Sequence, residues 1–193
     1  MTDSWPEVIV LRHGETEWNR DNRMQGALNS PLTEKGQHQA AKQGELLGQF
    51  DLSSNWGAVC SPQGRAFETA ALSVALHIPF VRTDDRLREI GVGDWAGKIR
   101  SDLKVEGPLQ DGPDGPIAMY EQAPGGEGFD ALEQRCRSLL SEIQRPSVLV
   151  THGITSRMLR TILLDLPRSE LGKIQGGQGN LFHIKDGIQK EIV

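Results

Sequence analysis

Glu7–Leu11 (EVIVL) runs straight into Arg12–Thr16 (RHGET), and this stretch decides the fold. A short, continuous apolar run rich in β-branched residues is typical of a strand buried on both faces of a parallel sheet. The polar residues that follow then lie at the carboxyl end of the strand. Because ligands of open α/β sheets gather at that edge, the stretch predicts a fold class and the place of a site together.

The same arrangement occurs a second time near the other end of the chain. Ser147–Val150 (SVLV) leads into Thr151–Gly153 (THG), so a second histidine follows a second apolar strand. Ligands of such sheets lie where the parallel strands end, at one edge. We therefore expect His13 and His152 to lie in one crevice.

Two arginines are expected at the same edge. Arg12 directly precedes His13, and Gly57–Cys60 (GAVC) is a predicted strand that leads through Ser61 to Arg65. A serine followed by a proline is a start signal for the helix that carries this second arginine. Two guanidinium groups beside two imidazoles form an anion site, and the bidentate geometry of guanidinium favours phosphate as the anion.

Predicted strands and helices alternate along the rest of the chain. The further elements are helices beginning near Thr33 and Phe129, the helix Ile154–Leu164 and the strand Pro79–Thr83. Asn180–Ile184 and Ile188–Val193 flank a polar turn with a glycine and are typical of a closing hairpin. We predict an α/β fold of three layers, in which helices flank a mixed, mostly parallel sheet.

Length and composition are those of a globular protein. The 193 residues favour one domain over 1–193, which can bury a core without a disulfide or a metal. A formal net charge of -5 argues against nucleic-acid binding through bulk charge. Two cysteines, Cys60 and Cys136, fit buried positions, and no apolar run has the length of a membrane span. We expect neither nucleic acid nor membrane as a partner, and a cytoplasmic location because the first residues lack a secretion signal.

One region differs from the rest in composition. Glycine and proline supply ten of the 24 residues from Val105 to Gly128. Long loops within a compact domain are usually lids or binding loops, or else disordered. We assign residues 98–128 to a Gly/Pro-rich loop or lid that sets substrate specificity.

The motifs taken together resemble those of the histidine phosphatase superfamily, the phosphoglycerate-mutase-like phosphatases. The resemblance covers nearly the whole chain in order, apart from residues 98–124. Its blocks are Arg12-His13-Gly14-Glu15-Thr16 with Trp18-Asn19, Arg23-x-Gln25-Gly26, Pro31-Leu32-Thr33-x-x-Gly36-x-x-Gln39-Ala40, Ser61-Pro62-x-x-Arg65-Ala66-x-x-Thr69-Ala70, Leu87-x-Glu89-x-x-x-Gly93-x-Trp95-x-Gly97, Gly125-Gly126-Glu127 and Thr151-His152-Gly153.

The resemblance implies a metal-independent phosphatase that hydrolyses a phosphomonoester through a phosphohistidine. His13 would attack phosphorus, which splits one difficult displacement into two easier ones. Arg12, Arg65 and His152 would hold the equatorial oxygens, where the charge of phosphoryl transfer is spread. Glu89 would protonate the leaving oxygen and then take a proton from water.

The resemblance also implies how substrate is held. Asn19 and the segment Gln25-Gly26 would frame the phosphate. Because side chains supply the positive charge, neither a metal nor another cofactor is needed. The expected partner is a small phosphorylated metabolite, and a homodimer is possible.

Several alternatives stay open at this point. Glu15, Glu68 and Glu127 are other candidates for the acid, although Glu127 fits the start of a helix, where its charge meets the positive end of the dipole. A cofactor-dependent phosphoglycerate mutase is the second enzyme hypothesis. The mutase branch carries a long insertion with paired arginines that this chain lacks, which favours the phosphatase. A non-catalytic phosphate-binding scaffold is the third hypothesis, and two histidines holding a metal is the fourth, disfavoured because Arg12 repels a cation.

Overall fold

A computed structural model of the protein describes residues 5–52, 55–105 and 117–193. The strands are β1 (Val8–Arg12), β2 (Gly57–Cys60), β3 (Val81–Thr83), β4 (Ser147–Thr151), β5 (Leu181–Lys185) and β6 (Ile188–Ile192). The α-helices are α1 (Glu17–Arg20), α2 (Glu34–Leu47), α3 (Gly64–Leu72), α4 (Gly128–Ser141) and α5 (Gly153–Leu163). Short 3₁₀ turns join several of these elements.

The strands form one sheet in the order β3-β2-β4-β1-β5-β6. The first four strands, β1, β2, β3 and β4, are all parallel. Strand β5 runs antiparallel to β1 and forms a hairpin with β6. In that hairpin Asp186 and Gly187 both have positive φ, as two-residue turns of the type I′ class require. The predicted mixed, mostly parallel sheet is confirmed, and so is the closing hairpin.

The register of β1 and β4 places the two histidines side by side. Arg12 pairs with Thr151 in the parallel ladder, so His13 and His152 leave adjacent strands at the same level. The backbone N–H of His13 donates to the carbonyl oxygen of Thr151 over 3.0 Å, which extends the ladder by one bond. The two motifs are thus fixed to each other by backbone hydrogen bonds.

Both faces of the sheet are buried under helices. Val8 and Val10 of β1 point into one apolar cluster, and Ile9 and Leu11 point into the other. This alternation is the period of a strand covered on both sides. α4 and α5 supply the first cluster, while α2 and α3 supply the second. The three-layer arrangement predicted from the sequence is confirmed.

Helix α3 begins later than predicted. The sequence places its start at Ser61 and Pro62, but Gln63 is the N-cap and the helix proper starts at Gly64. The Ser61 hydroxyl accepts from the backbone N–H of Gln63 over 3.3 Å and contacts His152 over 2.8 Å. The start signal is therefore correct to within two residues: the Ser61 hydroxyl accepts from the N–H of Gln63 and also donates to the second histidine.

The start of α2 is as predicted and passes very close to β1's loop. Thr33 caps the helix by accepting from the N–H of Gly36 over 3.0 Å. A Cβ atom added at Gly14 would lie 2.1 Å from the carbonyl oxygen of Gly36, and one added at Gly36 would lie 2.0 Å from that of Glu15. The two glycines let the backbones touch.

The described ends of the predicted specificity loop are short 3₁₀ turns. These cover Arg100–Asp102 and Ile117–Gln122, and residues 106–116 lie outside the described residues. Tyr120 and Met119 of the second turn are buried in the cluster under α4 and α5. Within the described ranges, no helix is long and apolar enough to cross a membrane.

Candidate active site

One cavity opens where β1 ends and α5 begins. Its wall includes seven of the eight residues predicted for the site, which are Arg12, His13, Asn19, Gln25, Gly26, Arg65 and Glu89. The eighth, His152, is fully buried beside it, with its ring centroid 5.1 Å from that of His13. The structure thus brings together residues from four separate stretches of the chain.

Two contacts set the tautomer of His13. Its Nδ1 lies 2.7 Å from the carbonyl oxygen of Gly14, which can only accept, so Nδ1 carries the proton. Its Nε2 lies 3.3 Å from Nε of Arg65, and a guanidinium can only donate. Both contacts therefore place the lone pair of the neutral ring on Nε2.

Burial and charge keep this imidazole neutral. His13 is almost fully buried, and that desolvation lowers its pKa well below the ordinary value. The guanidinium groups of Arg65 and Arg12 lower the pKa further, because they repel a second cation. The hydrogen bond to Gly14 acts weakly in the other direction. His13 is a neutral nitrogen base at physiological pH.

Arg65 is held rigidly at the start of α3. Its Nη1 donates to the carbonyl oxygen of Leu28 over 2.7 Å, and its Nη2 donates to that of Gly26 over 3.1 Å. Burial lowers its pKa to about 10, which still leaves it a cation at neutral pH. The guanidinium is fixed in one orientation beside His13.

Arg12 lies against the first turn of α5. A Cβ atom added at Gly153 would lie 3.3 Å from Cζ of Arg12 and 3.5 Å from Oε2 of Glu89. The helix start can approach both charged groups because residue 153 has no side chain. This close approach explains the glycine that follows His152.

His152 is oriented by a serine. Its Nε2 lies 2.8 Å from the Ser61 hydroxyl, whose proton has no other acceptor among the described residues. A serine that donates to Nε2 leaves the His152 proton on Nδ1, and no described residue accepts from Nδ1. Burial and the charge of Arg65 lower the pKa of His152 well below its ordinary value. The ring is a neutral donor beside His13.

Glu89 sits at the N-terminus of α5. Its Oε1 accepts from the backbone N–H groups of Ile90 and Thr155 over 3.0 and 3.1 Å, and the Thr155 hydroxyl, which donates to the carbonyl oxygen of Arg88, lies 3.1 Å away. Its Oε2 accepts one long bond, 3.2 Å from the N–H of Ile154. The two oxygens therefore differ, and Oε2 has the capacity left to exchange a proton with a ligand.

The competing carboxylates are engaged elsewhere. Glu15 pairs with Lys35 over 2.8 Å at the surface and accepts from Thr33. Glu127 pairs with Arg135 over 2.5 Å and accepts from the N–H of Gly91. Neither lines the cavity, and neither does Glu68. Glu89 is the one carboxylate on the described part of the wall.

Asn19 and Gln25 are fixed through Thr16. The Asn19 Oδ1 accepts from the backbone N–H of Thr16 over 3.1 Å, which leaves its amide group as a donor. The Gln25 Nε2 donates to the Thr16 hydroxyl over 2.9 Å, and its buried Oε1 has no partner among the described residues. Both side chains are held in place on the cavity wall.

The sequence analysis missed several residues of the site. Arg23, Arg100 and Tyr120 also line the cavity, and Arg100 donates to the Tyr120 hydroxyl over 2.6 Å. Gln178 donates to the carbonyl oxygen of His13 over 3.1 Å and to Oδ1 of Asn19 over 3.3 Å. Arg23 stands in one of the motifs quoted above, although the motif assigned it no role. Arg100, Tyr120 and Gln178 stand in no sequence pattern that marks a site.

Metal ligation has no support in the geometry of the described residues. Among them, no three His, Cys, Asp and Glu side chains are placed to hold one ion. At the cavity itself the contacts of His13 are a carbonyl oxygen and an arginine. A guanidinium beside a nitrogen ligand would repel a cation.

Comparison with known proteins identifies a family over most of the chain. A family model described as histidine phosphatase superfamily (branch 1) matches residues 8–187. Glucosyl-3-phosphoglycerate phosphatase of Mycobacterium tuberculosis (strain ATCC 25618 / H37Rv) is 34% identical over an alignment of 190 positions, and the match covers 90% of this chain and 81% of that protein.

Solved structures match the fold as well. A mycobacterial glucosyl-3-phosphoglycerate phosphatase in complex with VO3 has a TM-score of 0.78 and 31% identity, and the match covers 97% of this chain and 98% of that chain. Alpha-ribazole phosphatase from Shigella flexneri has a TM-score of 0.76 and 27% identity, with 97% and 95% of the two chains covered.

Proposed function

The chain belongs to the histidine phosphatase superfamily and is a phosphomonoester hydrolase, and we propose that it works by transferring the phosphoryl group to Nε2 of His13. One observation carries the proposal. The contacts of His13 with Gly14 and Arg65 leave the neutral ring with its lone pair on Nε2. That is the form of imidazole that can attack phosphorus.

The first step forms one bond and breaks another. Nε2 of His13 bonds to phosphorus while the ester oxygen leaves. The Nε2 lone pair then bonds to phosphorus instead of accepting from Arg65, and the Nε–H of Arg65, held where it is, donates to a phosphoryl oxygen beside it. Arg12 and the Nδ1–H of His152 supply further donors to those oxygens, where charge is spread in the transition state.

Glu89 handles the proton in both steps. Its Oε2 gives a proton to the leaving oxygen, and the same oxygen then takes a proton from the water that attacks the phosphohistidine. The second attack releases phosphate and returns His13 to its neutral form. No step needs a metal, because the guanidinium groups balance the phosphoryl charge.

The positive charge of the cavity wall supports the proposal that the substrate has a second anionic group. Arg12, Arg23, Arg65 and Arg100 line its described wall against the single carboxylate of Glu89. A phosphomonoester dianion balances two of these charges and leaves positive charge over. A small metabolite with a carboxylate or a second phosphate would balance the rest, and glucosyl-3-phosphoglycerate is such a compound. We propose that residues 98–128, which bring Arg100 and Tyr120 to the wall, select it.

The alternative of a phosphoglycerate mutase has less support. A mutase has to hold a bisphosphate and return a phosphoryl group to it rather than to water. The relatives matched over most of the chain include phosphatases, and their names support hydrolysis. A scaffold without activity is disfavoured as well, because the cavity holds a complete set of nucleophile, donors and acid.

Trapping the intermediate tests the mechanism. The protein is mixed with a ³²P-labelled phosphomonoester in the presence of EDTA and quenched within milliseconds. We expect a label that is labile in acid, stable in base and located on His13 by peptide mapping. The His13→Gln variant, which keeps a polar side chain of similar size, should carry no label.

Two results would overturn the mechanism. One is a label on an aspartate or serine, or full turnover by His13→Gln, which would exclude His13 as the nucleophile. The other is loss of activity in EDTA that a divalent ion restores, which would show metal catalysis.

A further inference from the structure

We propose that Thr69 is a positioning residue for the nucleophile: its hydroxyl joins the loop of His13 to the helix of Arg65 and so fixes the two contacts that set the His13 tautomer. The proposal rests on His13 being the nucleophile. Thr69 lies on α3, one turn after Arg65, and is fully buried.

The observation is a closed ring of four hydrogen bonds. His13 Nδ1 donates to the carbonyl oxygen of Gly14 over 2.7 Å, and the N–H of Gly14 donates to the Thr69 hydroxyl over 3.1 Å. The Thr69 hydroxyl donates to the carbonyl oxygen of Arg65 over 2.8 Å, and Nε of Arg65 donates back to Nε2 of His13 over 3.3 Å. Every donor in the ring has one acceptor.

The directions of these bonds leave no choice. A backbone N–H only donates, so the Thr69 oxygen accepts from Gly14. A carbonyl oxygen only accepts, so the single hydroxyl proton points to Arg65. One hydroxyl thus serves as acceptor for one motif and donor to the other. A valine has the same shape and can do neither.

Loss of the hydroxyl should act on both contacts at once. The Gly14 N–H would be left without its partner in a buried site, which favours rotation of the peptide units around Gly14. Rotation would move the carbonyl oxygen that holds the proton on Nδ1. The His13 proton would then be shared between the two ring nitrogens, and the Nε2 lone pair would be present for only part of the time.

Thr69→Val and Thr69→Ser separate the hydroxyl from the packing of the methyl group. We expect Thr69→Val to slow formation of the phosphohistidine about 10- to 100-fold, measured as the burst rate with p-nitrophenyl phosphate. Thr69→Ser should stay within about threefold of the wild type. Ser73→Ala is the matched control, since the buried Ser73 makes the same kind of bond to the carbonyl oxygen of Thr69 over 2.7 Å but does not touch the cavity.

A spectroscopic readout distinguishes positioning from a general loss of stability. Two-bond ¹H–¹⁵N correlation of the His13 ring should show Nδ1 protonated and Nε2 unprotonated in the wild type, in Thr69→Ser and in Ser73→Ala. In Thr69→Val the two nitrogen shifts should move toward each other. Thr69→Ala is measured alongside, so that a folded variant without the hydroxyl is available if valine prevents folding.

Three outcomes would overturn the inference. They are an unchanged burst rate and tautomer in Thr69→Val or Thr69→Ala, an equal loss in Thr69→Ser, or an equal loss in Ser73→Ala. Failure of the proposed function would differ, because the wild type would then give no phosphohistidine at all.

Discussion

The two oxygens of the Glu89 carboxylate have different hydrogen-bond partners. Oε1 accepts from the N–H groups of Ile90 and Thr155 and ties Glu89 to the first turn of α5, while Oε2 accepts one bond from Ile154. A residue held at one oxygen can exchange a proton at the other without moving. The backbone N–H groups at the start of α5 thus hold the proposed acid in position.

The proposed role of Glu89 predicts a dependence on the leaving group. Glu89→Gln keeps the shape but has no proton to give to a basic alkoxide. We expect phosphorylation of His13 by an alkyl phosphate to slow by about 10² or more, the usual contribution of a general acid. With p-nitrophenyl phosphate the burst should be much less affected, because a phenolate leaves without help.

Rapid-quench kinetics with the two substrates provides the measurement. The later steady-state rate can fall for both, since water attack on the phosphohistidine needs the same carboxylate as base. Equal losses in the burst for both substrates would show that Glu89 is not the acid.

Arg100 should discriminate between substrates with one and two anionic groups. Arg100→Gln removes one positive charge from the wall while its neighbour Tyr120 stays. We expect KM to rise about tenfold or more for a phosphorylated carboxylic acid, since a charge-assisted hydrogen bond contributes about 1.5–3 kcal/mol. KM for p-nitrophenyl phosphate should change little.

Arg20→Gln serves as the control for net charge. Arg20 lies exposed on α1, away from the cavity wall, so its loss changes total charge without changing the site. An equal rise in KM for both substrates in Arg100→Gln would argue against a second-anion subsite.

The residues that follow a strand are the ones the sequence could identify. His13 and His152 each stand directly after an apolar run, so their shared edge follows from fold rules. Gln178 and Arg100 could not be found in this way. Gln178 meets His13 across 165 positions of sequence, and neither residue stands in a pattern that marks the contact.

At the scale of single elements, a capping side chain indicates the start of a helix to within one or two residues. Ser61 followed by proline is a strong start signal, and α3 starts at Gly64, two residues later than the signal predicts. Thr33 also donates its hydroxyl proton to another residue, Glu15, over 3.0 Å, and α2 begins where the Thr33 side chain predicts. The sequence therefore locates both helices and places their first turns to within two residues.

The contact of α2 with the His13 loop predicts an unusual effect of alanine in a helix. Gly36→Ala should raise helix propensity by about 1 kcal/mol, but its Cβ would lie 2.0 Å from the carbonyl oxygen of Glu15. Overpacking of this kind costs about 1–3 kcal/mol, and here backbone has to move. We expect a net loss of stability in urea unfolding together with a lower burst rate.

Gly172→Ala provides the comparison, because a Cβ there meets no atom within 4 Å. It should leave stability and activity near those of the wild type. A Gly36→Ala variant more stable than the wild type, with an unchanged burst, would show that the loop can yield without cost.

For the whole molecule, the two buried histidines make stability depend on pH. Their pKa values are lowered on folding, so below about 6.5 the unfolded chain binds protons that the folded chain does not. The free energy of unfolding therefore falls as the pH falls through this range, by up to about 1.4 kcal/mol per pH unit for each histidine. Above pH 7 this contribution to stability is fully present.

Urea unfolding at pH 6.5 and pH 5.5 measures the effect. The decrease between the two pH values should be smaller in His152→Gln than in the wild type, because one of the two groups is gone. An equal decrease in both proteins would show that His152 is not the source.

The type of sheet could be predicted from the sequence, but the order of its strands could not. Alternating strands and helices indicate a parallel α/β fold, and a polar turn indicates the hairpin. The place of β4 between β2 and β1 depends on which faces pack together, and no short stretch of sequence encodes that choice. For the same reason the distance between His13 and His152 follows only from the pairing of Arg12 with Thr151.

That pairing sets the moment at which the molecule becomes an enzyme during its synthesis. The ribosome delivers β1 first, but its neighbours in the sheet, β4 and β5, emerge more than a hundred residues later. A nascent chain that ends before β4 holds His13, Arg65 and Glu89 without the strand that aligns them. We therefore expect activity to appear only after β4 has paired with β1. The rate at which a chromogenic phosphate is hydrolysed can then report how much of the chain has completed folding.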